Sequence, residues 1–547
     1  MLSLQEKIFL KSKLSGLAIL KNSNSIYKID KIRKIFFDTQ ININNSKLIK
    51  FFFPEKISAS KVLENSIKNI FITDQRQFYA SLANQIASLF SKQIYKKKIA
   101  IPINSSIRQA IVLDNPDIKF NNFMCDLLWI VKIISNLLKG LIFGIIFFLK
   151  NFSKKTLKNG KYNKKIFFDF EENENLLSQN INPFYFVSKF IDNYDHKKDT
   201  LFVFEGDKSN IISQDIFFKY RDAYCKVQNS IYPKLTFFQN VIFINYVLVG
   251  FIINIFLLCT KNWYCAFLFI EAIKAKLFRL ANKEEIPDKF IIKYTKTLVR
   301  PLWSFEIEKF NKTSHLLLYS LNSFGHKMKD FEANDPSALY KLQYTNFIVW
   351  DDDHIKILDR IFQSKENINY EKFGPIIINP SYNKIKIVDD KVISVFDISP
   401  KRKSFEEITE NTIIFPEYII EFISNIVELS HNLNFKILYK PKRDIYNSKI
   451  LHKSYKKKII EILQNEKNII QFSNNDCMMS IIKKSNAVIS YPYTSTANIA
   501  NFLNKPSIYY DPSNLLDNKD QFFLKGVPLI QNKNMLHEWL TEIFILK

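Results

Sequence analysis

The chain has 547 residues, a formal charge of +25, and 47% hydrophobic residues that include 51 Phe and 25 Tyr. That much apolar material excludes a largely disordered chain, and the length implies roughly three or four domain-sized units with more than one core. The positive charge invites anionic partners, but the lysines come in short scattered runs such as Lys96–Lys98 and Lys456–Lys458. They read first as solvated faces, then as attraction to an anionic membrane surface. No zinc-finger spacing and no glycine-containing RNA-binding signature is present, so no nucleic-acid partner is expected.

The five cysteines are few, odd in number and unclustered. This fits a reducing compartment and argues against a disulfide framework. The start, Met1-Leu2-Ser3-Leu4-Gln5-Glu6-Lys7, lacks a basic segment leading into an apolar run, so a cytoplasmic location is expected.

In chain order, residues 1–158 read as an N-terminal helical region with membrane affinity. Its apolar stretch Leu127–Leu149 is interrupted by Lys132 and Lys139 and followed by Lys150. That pattern suits an interfacial helix whose lysines reach toward anionic headgroups. Residues 159–372 read as a first α/β unit, with strands at 165–170, 200–205, 315–320 and 346–350, each a short apolar run ending in polar residues. Within it, the stretch 235–260 carries no charge. By length it qualifies as a single transmembrane segment; the other reading is a helix buried in the unit or lying on the membrane.

Residues 373–547 read as a second α/β unit. Strands are expected at 392–397, 435–440, 487–490 and 507–510, with a helix over 417–433 and another near the end. Alternating strands and helices predict two Rossmann-like parallel sheets.

Four strand-end loops could carry chemistry. Tyr491-Pro492-Tyr493-Thr494-Ser495-Thr496 follows a buried strand and opens a helix. Pro492 ends the strand, and Thr494, Ser495 and Thr496 exceed what one helix cap requires, which favours a phosphate. Lys440-Pro441-Lys442-Arg443 follows another strand and would bring Lys440, Lys442 and Arg443 to the same edge. Asp397 ends a third strand, where it either orients a ribose or base or merely terminates the strand. Asp351-Asp352-Asp353 follows a strand of the first unit. Asp351, Asp353 or Glu205 could serve as a general base, and Asp351 with Asp353 could instead hold a divalent cation. No phosphate-binding glycine loop, dinucleotide fingerprint or nucleophile elbow occurs, which weakens ATPase, NAD-enzyme and hydrolase readings.

The run Ala487–Ala497, with Asn504-Lys505-Pro506-Ser507-Ile508-Tyr509-Tyr510-Asp511-Pro512 after it, resembles the bacterial polysaccharide-biosynthesis family named for its Pro-Phe-Thr-Ser motif. Tyr493 stands where that motif has Phe. Val395-Phe396-Asp397 with Pro400, and Lys440-Pro441-Lys442-Arg443, are similar to that family too.

The resemblance implies a GT-B-like glycosyltransferase of capsule or O-antigen biosynthesis, related in pattern to bacterial sialyl- and Kdo-transferases. It would use a nucleotide-sugar donor, with a CMP-sugar favoured, and a saccharide or lipid-linked acceptor. No cofactor and no metal is required. The enzyme would lie peripherally on the inner-membrane surface. Lys440-Pro441 occupies the place of the His-Pro pair in those transferases. A metal-dependent sugar or polyol-phosphate transferase using Asp351 and Asp353, and a non-catalytic membrane scaffold, are the alternatives.

Overall fold

The computed structural model describes residues 119–153, 166–170, 200–204, 216–220, 223–228, 231–258, 268–293, 300–318, 344–362, 367–374, 391–400, 416–448, 451–474, 478–492, 494–520 and 524–545, with single residues at 100, 105, 108, 266, 329 and 476. Helix α1 spans Asn122–Ser153 and strands β1 to β4 span Ile166–Phe170, Thr200–Phe204, Ile216–Tyr220 and Ala223–Gln228. Helices α2 (Phe237–Leu258) and α3 (Phe269–Leu280) follow, then β5 (Lys289–Lys293), α4 (Trp303–Glu308), β6 (Thr313–Leu317), β7 (Asn346–Val349), α5 (Asp352–Phe362) and β8 (Asn369–Lys372). The second unit contains β9 (Val392–Phe396), α6 (Pro416–Leu433), β10 (Lys436–Lys440), α7 (Lys453–Asn465), β11 (Ile469–Gln471), α8 (Met478–Lys484), β12 (Ala487–Ser490), α9 (Ser495–Phe502), β13 (Ser507–Tyr510), β14 (Leu529–Ile530) and α10 (Lys533–Ile545).

Among the described residues these strands form two sheets. The first has the order β3-β4-β2-β1-β5-β6-β7-β8, and the second β11-β10-β9-β12-β13-β14. All pairings are parallel except β3 with β4. The expected pair of parallel α/β units is therefore present. The strands β7, β9, β10, β12 and β13 lie within one residue of their expected places, because each is a buried apolar run, and β6 starts two and ends three residues early.

The chain has 9 glycines, and asparagine takes over one of their usual tasks. Asn311, Asn434 and Asn504 have φ of 60°, 50° and 56°, and each follows a helix. The next amide in each case reaches back five residues: Lys312 N to Ile307 O, Phe435 N to Ser430 O, and Lys505 N to Ala500 O. This is the Schellman stop, and Asn is the side-chain-bearing residue best able to fill its left-handed position.

Helices α1 and α2 pack side by side and antiparallel. Asn151 Nδ2 at the end of α1 donates to Leu235 O ahead of α2 at 3.0 Å, Phe147 meets Phe243 edge-on, and Gly144 faces Val247. A Cβ on Gly140 would lie 2.6 Å from Phe269 of α3, and one on Gly144 2.7 Å from Val247. Two glycines four residues apart thus set how closely α1 approaches both neighbours. Phe278 of α3 stacks on Trp303 at 4.8 Å, and Trp303 packs on Phe290 of β5, which ties the helices to the first sheet.

A membrane crossing by α2 does not fit this topology. Strands β1, β2 and β4 precede α2, and β5 follows it, yet β1 pairs with β5 and β2 joins β1 to β4. The strands before and after α2 therefore lie on one side of any bilayer, which excludes α2 as a single crossing. The helix between α2 and β5, α3, has 12 residues, roughly 18 Å at 1.5 Å per residue, too short to recross a core of about 30 Å. The transmembrane reading of 235–260 is thereby corrected.

Two tests follow from the packing. Gly144→Val should cost about 1–3 kcal/mol of stability, as overpacking does, and Val247→Ala in the same chain should recover part of it, read as urea midpoints. His315 on β6 is largely buried, and its imidazole is pushed down to about 4 by burial first and Lys289 second, against Glu371. The unfolded chain therefore takes up a proton below about pH 6.5 that the folded chain refuses. Stability should fall on acidification from about 6.5 toward 4, by up to about 3 kcal/mol, and His315→Gln should flatten that slope.

Candidate functional site

Counted from β9, the second sheet reads 3-2-1-4-5-6, and its order reverses between β9 and β12. In parallel sheets of this order, ligands sit outside the carboxyl ends of the strands at that reversal. Three loops leave this edge side by side: Asp397 onward after β9, Pro441 onward after β10, and Tyr491 onward after β12. The expected convergence of the Lys440–Arg443 loop, Asp397 and the hydroxyl turn is a consequence of β9 pairing on both sides.

In the turn, Thr494 is the N-cap of α9, with extended backbone (φ −79°, ψ 141°), but its side chain makes no cap hydrogen bond. Its hydroxyl donates instead to Tyr491 O at 2.9 Å. A hydroxyl has one proton, so Thr496 Oγ1, 2.9 Å away, must donate to Thr494. Ser490 Oγ, 2.7 Å from Thr496, must in turn donate to Thr496. The Tyr509 hydroxyl of β13 donates to Thr494 O at 2.9 Å and accepts from Asn498 Nδ2 at 2.6 Å.

The consequence corrects the expectation for two of the three hydroxyls. Thr494 and Thr496 spend their protons inside the turn and fix its shape. A ligand anion at this helix end would meet the Ser495 hydroxyl and the first-turn N–H groups that no Thr494 side chain caps.

Asp397 is buried and turned inward. Its Oδ2 accepts from the Tyr439 hydroxyl at 2.7 Å and from the Tyr455 hydroxyl, and its Oδ1 accepts from Lys442 N at 3.2 Å. Burial pushes the carboxyl up from its ordinary range, opposed by these three donors and by the Lys442 charge. Asp397 therefore braces the end of β9 against β10, α7 and the basic loop, which matches the strand-ending alternative of the two expected of it.

Within the basic loop, Lys440 Nζ donates to Asn474 O at 2.8 Å and Arg443 Nη1 to Ser399 O at 3.3 Å. Lys442 is the exposed member. The loop is thus tied down at both ends, with its middle cation outward.

The three aspartates of the first unit do not converge. Asp351 Oδ1 caps α5 by accepting His354 N at 2.9 Å. Both oxygens of Asp351 also pair with Lys525 of the second unit, Oδ2 at 2.5 Å. Asp352 pairs with Lys372 at 3.1 Å and Asp353 with Lys356 at 3.3 Å. Among the described residues no three His, Cys, Asp or Glu side chains form a metal-holding group. Asp351 is occupied by a helix end and a lysine, so neither the general-base nor the paired-carboxylate expectation fits it. Glu205 lies outside the described residues.

Sequence reading missed Lys525, whose partner is 174 positions away. Its side chain is largely buried, and its Nζ lies 5.9 Å from the Trp350 ring. Beside it, His354 is held well below its ordinary range by burial and by the Lys525 charge. A second contact joins the units where Lys329 N donates to Leu515 O at 3.0 Å.

A family model described as polysaccharide biosynthesis PFTS motif protein matches residues 246–540. Among curated proteins, none matches this chain. Solved structures with similarity include an α,α-trehalose 6-phosphate synthase from Burkholderia multivorans, at 9% identity and a TM-score of 0.40, covering 70% of this chain and 89% of that one. The wall teichoic acid polymerase TagF is 11% identical with a TM-score of 0.37, covering 76% and 89%. A sucrose-phosphate synthase from Thermosynechococcus elongatus is 11% identical with a TM-score of 0.40, covering 70% and 90%.

The Asp351–Lys525 pair should register in a double-mutant cycle. Asp351→Asn and Lys525→Met are each expected to destabilise the protein. The coupling between them should be about 1–2 kcal/mol in denaturant midpoints, between the values of exposed and buried pairs. A coupling near zero would remove the pair as a tie between the units.

Proposed function

The chain belongs to the family of polysaccharide biosynthesis PFTS motif proteins, and on that premise we propose that it is a GT-B-like glycosyltransferase. It moves a sugar from a nucleotide-activated donor to a saccharide or lipid-linked acceptor in the assembly of a surface polysaccharide, capsule or O-antigen. It works at the cytoplasmic face of the inner membrane. The observation that carries this reading is the strand reversal at β9 and β12, with a hydroxyl turn and a basic loop on either side of it.

In this scheme the donor phosphate sits against the N-terminus of α9. Ser495 and the first-turn amides donate to it, and Lys442 adds a positive charge from the neighbouring loop. Thr494 and Thr496 keep those amides aimed, and Asp397 keeps Lys442 in reach through its backbone N–H. Such preset donors favour the charge that grows on the departing nucleotide more than they favour the less highly charged ground state. Asp351 does not act as the acceptor's base here, because Lys525 and the cap of α5 occupy it. The scheme needs no metal.

Binding of CMP-, UDP-, GDP- and CDP-linked sugars, compared by calorimetry, tests the reading, with a CMP-sugar expected to bind best. Ser495→Ala and Lys442→Ala should each weaken the preferred nucleotide by roughly tenfold, the scale of one charge-assisted hydrogen bond. Thr496→Val should weaken it through loss of the turn's shape and should also lower the melting temperature. Unchanged affinity in a Ser495→Ala, Lys442→Ala double variant would remove this site.

A further inference from the structure

Helices α1 and α2 carry more exposed apolar surface than their packing uses. On α2 the exposed apolar side chains are Phe237, Phe238, Val241, Ile242, Leu248, Val249, Ile252, Ile255 and Phe256, with Phe238 at 78% and Phe256 at 71%, and Asn245 is the one exposed polar residue among them. At 100° per residue these positions fall within one arc of about 140°. On α1 a similar arc runs from Phe123, 75% exposed, to Leu149. The opposite faces, with Trp129, Ile133 and Leu137 on α1 and Phe243 and Val247 on α2, are buried. Helix α3 packs against both, so the two exposed arcs lie away from it. A soluble monomer rarely leaves so large a continuous apolar face uncovered.

The charges beside this face identify what covers it. Lys132, Lys139 and Lys150 of α1 are spaced by 7 and 11 residues, which brings all three within about 20° on the helix. They form one line along the border of the exposed arc, and no acidic residue is present between Leu127 and Ser153. A protein partner would need no such border. A bilayer with anionic headgroups does, because the lysine stems can lie over lipid while their charges reach the headgroups.

We propose that α1 and α2 dock into one leaflet of an anionic bilayer as an in-plane apolar pair, without crossing it. The β1–β5 pairing excludes a lone crossing by α2, and α1 shares the plane of α2 because the two pack along each other through Gly144 and Val247. The inserted pair fixes the first sheet against the membrane, within reach of a lipid-linked acceptor. This rests on the membrane-side placement proposed above and is independent of the donor chemistry.

The test uses the full chain and vesicles of phosphatidylcholine with or without phosphatidylglycerol. Co-flotation is expected with the anionic vesicles and should resist high salt. Phe238→Asp with Ile252→Asp alters exposed positions only and should cut vesicle partition at least roughly tenfold. Lys132→Glu, Lys139→Glu and Lys150→Glu together should abolish the preference for phosphatidylglycerol. Lys234→Cys precedes α2 in the sequence and Lys261→Cys follows it, and both should react with an impermeant maleimide added outside sealed vesicles, above the signal of the native cysteines. Protection of one of the two would mean a crossing and overturn the proposal. So would flotation indifferent to the Asp pair, absence of flotation, or a dimer that buries these faces and ignores vesicles. Nucleotide affinity measured on the same samples separates the readings: lost flotation with nucleotide binding intact sinks only the docking proposal.

Discussion

The parallel pairing of β9 with β10 on one side and β12 on the other is the constraint from which the candidate site follows. A strand with partners on both flanks cannot also lie at an edge, so the chain must leave it in one direction and return on the other side. Right-handed crossovers then place the following helices on opposite faces and leave a gap where the directions part. The buried β9 and β12 are apolar at nearly every position, and Ser394 and Ser490 are small enough to be buried there. Chemistry is thereby pushed to the strand ends, where Asp397, Lys440 and the Tyr491 turn begin.

What those ends do is decided by internal hydrogen bonds. Asp397 accepts from two buried tyrosine hydroxyls that lie 3.3 Å from each other, and the tyrosines in turn make a buried carboxylate tolerable. In the hydroxyl turn, the relay from Ser490 through Thr496 and Thr494 to Tyr491 O has one sense only. Side chains that look like ligands for an outside group serve as the frame, and the groups left over are backbone amides and single residues such as Ser495 and Lys442. Positioning of this kind holds donors at fixed aim with little reorganisation when charge develops.

Much of this was legible before any coordinates. The strands β7, β9, β10, β12 and β13 announce themselves as short apolar runs, and the turn after β12 declares a helix start through Pro492 and its hydroxyls. Other strands did not. β5 reads Lys-Phe-Ile-Ile-Lys and β8 reads Asn-Tyr-Glu-Lys. A strand framed by lysines, or one at a polar sheet edge, lacks the pattern that burial imposes. The inward role of Asp397 was hidden because Tyr439 and Tyr455 look like ordinary core residues, and their hydroxyls matter only once β10 and α7 are adjacent. Lys525 was hidden for a simpler reason: one lysine among many, with its partner Asp351 in the other unit, carries no local signal. The charge-free stretch 235–260 satisfied a length criterion for a crossing, and only the pairing of β1 with β5 rules it out.

That same pairing governs how the chain must be made. The free edge of β1 stays unpaired until β5 is synthesised, more than a hundred residues after β1. During that interval α2 has already left the ribosome as a charge-free, largely apolar helix attached to a half-built sheet. Late closure by a distant strand is slow, because loop entropy is lost before the contacts form, and an exposed apolar helix beside unpaired strand edges is prone to aggregate. A lipid surface near the ribosome would shelter α2 during that wait, so early membrane contact would protect the nascent chain as well as locate the finished protein.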